Sequence, residues 1–142
     1  IRELDRVAPP RDLEIYSNRG LAGIDGTVST ALGIALSKGE TTLLAGDLTL
    51  LHDAGGLNLS DLRQLPLRIV VGNDNGGKIF SGLEVASEIS GESFKRLFTT
   101  PQQVDLAALA AAYGWKYERC NSLEQLTEAW KLSGPVLIDY QL

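Results

Sequence analysis

Asp47 and Asp74 stand 27 positions apart, each directly after a short apolar run, "TTLLAG" (41–46) and "LRIVVGN" (67–73). Two carboxylates that meet across neighbouring strands, joined by an exposed carbonyl from a glycine-rich turn such as Gly76, make a hard oxygen site suited to magnesium or calcium. Such an ion takes a phosphate oxygen beside it, and the amides of Leu48 and Thr49 open a helix whose N-terminus favours an anion. A magnesium-bound diphosphate fits both features. The stretch "GNDNGGKIF" (72–80) also approaches the nucleotide-binding pattern G-x-x-x-x-G-K-[ST] at Gly72, Gly77 and Lys78. Ile79 stands where that pattern needs a hydroxyl for the metal, which argues against a nucleotide loop. Taken singly, an aspartate after a strand is commonly a turn former or a helix cap. The spacing of Asp47, Asp74 and Gly76 is what points to a metal.

These residues need elements to hold them. Short β-branched runs read as strands at 13–17 ("LEIYS"), 41–46, 67–73, 115–120 ("WKYERC") and 135–142 ("PVLIDYQL"). Helical patterns fill the gaps at 26–38, ending before Gly39, and at 104–113, ending before Gly114. In "SLEQLTEAWKL" (122–132), Ser122 and Gln125 form a capping box, and Leu123, Leu126, Ala129, Trp130 and Leu132 form an apolar stripe. Residues 82–103 are the least regular segment and are expected to be mobile, as are 48–58 and 76–100 if the metal site is empty. Strands alternating with helices predict an α/β fold, a three-layer sandwich with a parallel sheet flanked by helices on both faces. Ligands in such sheets sit beyond the carboxyl ends of the strands. Three clusters fall there: "SNRGLAGIDG", "GDLTLLHDAGGL" and "NDNGGKIF".

The chain has 142 residues, 44% hydrophobic and 22% charged, which suits one domain spanning 1–142 with one sizeable core. It starts at Ile1 and contains no Met, so it reads as a piece of a longer chain. A net charge of −5 without a basic run gives no footprint for nucleic acid or an anionic membrane. With no apolar stretch of the length needed to span a bilayer and no leader pattern, a cytoplasmic protein is expected. Cys120 is the single cysteine and reads as a buried small hydrophobe. Trp115 and Trp130 read as core or interface anchors. Asp53, Glu84 and Glu88 read as solvated or helix-capping charges. His52, one turn into the helix after Asp47, reads as a structural or supporting residue, with general-base work as the alternative.

Gly46-Asp47, 26 residues, then Asp74-Asn75-Gly76 resembles the metal and diphosphate signature of thiamine-diphosphate enzymes, whose usual form is GDG followed by paired asparagines. Within that superfamily, "YSNRGLAGIDGTVSTALG", "GDLTLLHDAGGL" and "NDNGGKIF" are similar to the corresponding stretches of the 2-succinyl-5-enolpyruvyl-6-hydroxy-3-cyclohexene-1-carboxylate synthases of menaquinone biosynthesis. The resemblance runs in order over 16–80 and more loosely to the end.

It implies thiamine diphosphate and Mg2+ or Mn2+ as cofactors, with the metal on Asp47, Asp74 and the Gly76 carbonyl. Asp74 departs from the usual Asn and adds a negative charge. Gly46, Leu48, Thr49 and Asn75 would contact the phosphates, and Ile24 would support the bent cofactor. Members of the family decarboxylate 2-oxoglutarate and add the resulting four-carbon nucleophile to isochorismate. The resemblance makes Arg2 and Arg19 carboxylate-binding residues, work suited to the guanidinium fork. Ile79, Phe80 and Leu83 become an apolar wall beside the reacting carbon, with Ile79 touching cofactor as well. The activating glutamate of such enzymes lies in a pyrimidine-binding domain, usually of a partner subunit in a homodimer or larger homo-oligomer. No candidate for it is found here, so no catalytic residue is assigned to this chain and the chain alone is expected to be inactive. Another thiamine-diphosphate-dependent 2-oxo acid decarboxylase or lyase, or a non-catalytic phosphate-binding module, are the alternatives.

Overall fold

In the computed structural model, residues 2–18, 20–21, 23–58 and 64–142 are described, with residues 2, 3 and 5 by their backbone. Helix α1 (Arg2–Val7) comes first. Residues 13–17, expected as a strand, form none: Leu13, Ile15 and Tyr16 are exposed. The alternation of "LEIYS" supplies β-propensity, but a strand exists only where a neighbour takes its N–H and C=O groups. This segment is instead linked to the next helix through side chains, with Glu14 paired to Lys38 at 3.3 Å and Asn18 donating to Thr30 Oγ1 at 3.2 Å.

Helix α2 (Thr27–Lys38) stops at Gly39, whose φ of +88° continues no right-handed helix. Strand β1 (Thr41–Gly46) runs directly into α3 (Asp47–His52), followed by a 3-10 turn at Ala54–Leu57. Strand β2 (Leu67–Asn73) ends at the 74–77 turn. The irregular stretch beyond it contains a 3-10 turn (Lys78–Gly82), α4 (Val85–Glu88), α5 (Gly91–Phe94) and a π-helical turn (Lys95–Thr99). Helix α6 (Leu106–Ala112) starts two residues later than its pattern suggested, because the Asp105 carboxylate caps the Ala107 and Ala108 amides. Strand β3 (Lys116–Cys120), α7 (Leu123–Ala129) and β4 (Val136–Gln141) complete the chain.

The four strands form a parallel sheet in the order β1-β2-β4-β3. Leu67, Ile69, Val71 and Leu137 face α2 and α6, packing with Val28, Ala31, Ala35, Leu106 and Ala110. Val70, Val136 and Ile138 face the opposite way, against Ala129 and Leu126 of α7 and against Leu132. The expected three layers are therefore present, although α7 does not reach β1: Leu44 on that side is 61% exposed. Arg68 is buried beside it, its guanidinium 4.6 Å from the Trp130 ring centroid and donating to the Trp130 carbonyl at 3.0 Å. Trp115 is buried and donates its indole N–H to Leu57 O at 2.8 Å. Cys120 is buried, as its lack of partners suggested.

At α7, Ser122 Oγ accepts from Gln125 N, while the Gln125 side chain accepts from Asn121 N, one residue before the capping position. The apolar stripe is narrower than expected. Leu123 is 68% exposed and Trp130 43%, since α7 meets the sheet chiefly through Leu126 and Ala129.

Candidate functional site

β1 and β2 are neighbours, with Gly46 opposite Gly72, so Asp47 and the Asp74 turn emerge side by side from the carboxyl end of the sheet. Asp47 is 5% exposed, and its Oδ2 accepts the Gly76 N–H at 2.7 Å. Burial pushes the Asp47 carboxyl above the usual range and the charge of Asp74 adds to this, against the backbone N–H groups of Leu48 and Gly76, which favour the anion. Among the described residues no Lys, Arg or His forms an ion pair with either carboxylate. Two carboxylates near each other, one buried and neither paired, form a donor set that a hard divalent cation fits. Among the described residues no cluster of three or more His, Cys, Asp or Glu side chains competes with it.

The turn itself is tightly specified. Asn75 and Gly76 have φ of +62° and +124°. A Cβ on Gly76 would lie 2.2 Å from Thr99 O, and one on Gly77 2.5 Å from Phe98 O. The Gly77 N–H donates to Thr99 O at 2.7 Å, and Asn75 Oδ1 accepts from Gln102 N at 3.1 Å. The irregular 78–100 stretch thus returns to brace the turn. Behind the turn, Asn73 Oδ1 accepts from Asn75 N at 3.1 Å, and Asn73 Nδ2 donates to Asp139 Oδ1 at 2.9 Å. Asn73, Asp139 and Tyr117 were not singled out from sequence. The available signal was a carboxylate inside the apolar run "VLIDYQL".

Leu48 and Thr49, half-buried, form the first turn of α3 after Asp47. Ile24 is half-buried just before α2, its carbonyl accepting from Thr27 Oγ1. Ile79 is 80% exposed, Phe80 41% and Leu83 49%, and Phe80 meets Phe98 edge-on with centroids 6.0 Å apart. Arg2 lies in α1 by its backbone, its side chain outside the description, and Arg19 falls outside the described residues. Asp53 proves to be a tertiary helix cap: its carboxylate accepts from the Ser29 amide at 2.7 Å and Ser29 Oγ at 3.1 Å, in the first turn of α2. His52 is exposed at the end of α3. Among the described residues no helix is long and apolar enough to cross a membrane.

Residues 4–140 match the family described as "Thiamine pyrophosphate enzyme, C-terminal TPP binding domain". The chain is also similar to 2-succinyl-5-enolpyruvyl-6-hydroxy-3-cyclohexene-1-carboxylate synthases. It is 46% identical to that of Clavibacter michiganensis subsp. michiganensis over 154 residues, covering 100% of this chain and 26% of the relative. It is 47% identical to that of Paenarthrobacter aurescens over 153 residues, covering 100% of this chain and 27% of the relative. With that of Arthrobacter sp. the identity is 50% over 138 residues, covering 91% of this chain and 23% of the relative. The chain spans about a quarter of the length of these curated relatives. The parallel sheet and the family match agree, and the chain belongs to the thiamine pyrophosphate enzymes as a C-terminal cofactor-binding domain.

Proposed function

We propose that this chain is the diphosphate- and magnesium-binding domain, residues 1–142, of a 2-succinyl-5-enolpyruvyl-6-hydroxy-3-cyclohexene-1-carboxylate synthase, acting on 2-oxoglutarate and isochorismate. The observation that carries the reading is the Gly76 N–H to Asp47 contact at 2.7 Å, which ties the two halves of the candidate metal set together across 29 positions. Asp47, Asp74 and the Gly76 carbonyl would hold Mg2+ or Mn2+, and the cation would offset the repulsion between the two carboxylates. Gly46, Leu48, Thr49 and Asn75 would orient the phosphates. Thiamine diphosphate, when bound, supplies a thiazolium carbon nucleophile and an electron sink for decarboxylating a 2-oxo acid.

Ile24 would hold the cofactor in place, and exposed Ile79, Phe80 and Leu83 would exclude water once the pyrimidine-binding domain of the same or a partner subunit closes over them. Their exposure here suits an interface with another domain. Arg2 and Arg19 would bind substrate carboxylates. The chain alone is expected to turn over no substrate, because the activating glutamate belongs to that other domain. The whole enzyme is expected to be a cytoplasmic homo-oligomer.

The test is calorimetric titration of thiamine diphosphate, with and without magnesium, into the chain combined with a relative's pyrimidine-binding domain. Magnesium-dependent binding that disappears in Asp47→Ala and in Asp74→Ala supports the site. Absence of binding in the unsubstituted protein overturns the cofactor reading. A system that binds cofactor but consumes a different 2-oxo acid overturns the substrate assignment alone.

A further inference from the structure

Behind the metal loop lies a second buried carboxylate to which neither the resemblance nor the proposed site assigns work. Asp139, 4% exposed on β4, is surrounded by donors. Its Oδ1 accepts from Asn73 Nδ2 at 2.9 Å and Gln141 Nε2 at 2.7 Å, and its Oδ2 accepts from the Tyr117 hydroxyl at 2.8 Å. Burial and the bond to Asp139 push the Tyr117 hydroxyl far above the ordinary phenol range, so Tyr117 is a permanent donor. Among the described residues no cation forms an ion pair with Asp139. A carboxylate so buried is tolerated only if its acceptors are filled, and here three side chains fill them.

The consequence lies in the orientation of the amides. A carboxamide has one donating and one accepting end, and a carboxylate can only accept. Asp139 therefore turns the NH2 of Asn73 toward itself, which aims Asn73 Oδ1 away, at the turn, where it accepts the Asn75 N–H at 3.1 Å. Gln141 follows the same logic: Arg119 Nη2 donates to its Oε1 at 3.0 Å, leaving its NH2 for Asp139. Asn75 has φ of +62°, a left-handed conformation that Asn enters more readily than other L residues and that the bond from its N–H to Asn73 helps to fix. From that conformation the next N–H, that of Gly76, reaches Asp47.

We infer that Asp139, acting through Asn73, is a positioning residue of the metal and diphosphate loop. It fixes the Asn73 amide so that the Asn75–Gly76 turn is held against Asp47 before any ligand arrives. This rests on the proposed function only for what the loop binds; the orientation of the loop is a property of the chain itself.

The experiment has two readouts. Amide hydrogen exchange at Asn75 and Gly76, followed by nitrogen-15 NMR in the cofactor-free chain, reports the turn directly. Calorimetry of magnesium-dependent thiamine diphosphate binding, with the pyrimidine-binding domain present, reports its use. In Asp139→Ala the two amides are expected to exchange at least about 10-fold faster, and cofactor affinity to fall by about 10- to 100-fold. Asp139→Asn keeps an acceptor for Asn73 and is expected to recover most of both. Asn73→Ala, which leaves Asp139 and its other two donors in place, is expected to reproduce Asp139→Ala and serves if that variant does not fold. Exchange at Asn75 and Gly76 within about twofold of the unsubstituted chain, in a folded Asp139→Ala or Asn73→Ala, overturns the inference. If the unsubstituted protein binds no thiamine diphosphate, the functional reading fails, and the exchange rates still decide whether Asp139 positions the turn.

Discussion

At Asp47, stability and the proposed metal-binding role oppose each other directly. The residue is buried, close enough to Asp74 to feel its charge, and accepts the Gly76 N–H. Asp47→Asn keeps an acceptor and removes the charge, so the metal-free chain is expected to gain about 0.5–2 kcal/mol in urea unfolding while losing its response to magnesium. With a pyrimidine-binding domain present, the unsubstituted chain should instead be stabilised when magnesium and thiamine diphosphate are added together. Gly76 is a second test at this scale. Its φ of +124° and the 2.2 Å approach of a Cβ to Thr99 O mean that Gly76→Ala must both strain the backbone and displace the 99–101 segment. A loss of about 2–4 kcal/mol is expected by the same measurement.

The elements explain why glycines differ so much in what they do. Gly33 lies on the exposed side of α2 with nothing within 4 Å of a built Cβ, so Gly33→Ala should stabilise the chain. The gain expected is about 0.5–1 kcal/mol, the ordinary helix preference of Ala over Gly. Opposite signs for the alanine variants of Gly33 and Gly76 in one unfolding series would separate propensity from tertiary constraint. The helices also show capping that local patterns reveal unevenly. Ser122 caps α7 from its own segment, whereas the first turn of α2 is capped by Asp53 from 24 positions away. The segment 13–17 makes the complementary point, since its β-like alternation met no neighbouring strand and the structure left it exposed.

At the scale of the molecule, the sheet is covered unequally. Leu137, fully buried between β2 and β3, and Leu44, exposed on the open side of β1, are the same residue type in parallel strands of one sheet. Leu137→Ala is expected to cost about 2–5 kcal/mol, and Leu44→Ala to stay within about 0.5 kcal/mol of the unsubstituted chain, both by urea unfolding. Cys120 sits under α7, where burial, with the charges of Glu118 and Asp139, pushes its thiol up. A raised thiol pKa suppresses the thiolate at mildly alkaline pH. Reaction with a disulfide reagent there should be about 100-fold slower in the native chain than in denaturant. Native reactivity equal to the denatured rate would show that the α7 layer does not hold.

The bounds of β1 and β2 and the glycine stops of α2 and α6 were legible in the sequence, and Asp47, Asp74 and Gly76 could be read there as a candidate metal set. Each depends on residue types within a few positions or on the short motif that resembles the family signature. Period and capping are local physics, so they survive without knowledge of the rest of the chain. The tertiary structure alone decided which strands adjoin, which layer is incomplete, and that Gly76 donates to Asp47 from 29 positions away. It alone brought Asp139 to Asn73 across 66 positions. Hydrogen bonds over such separations depend on strand order and register, and short-range periodicity carries information about neither.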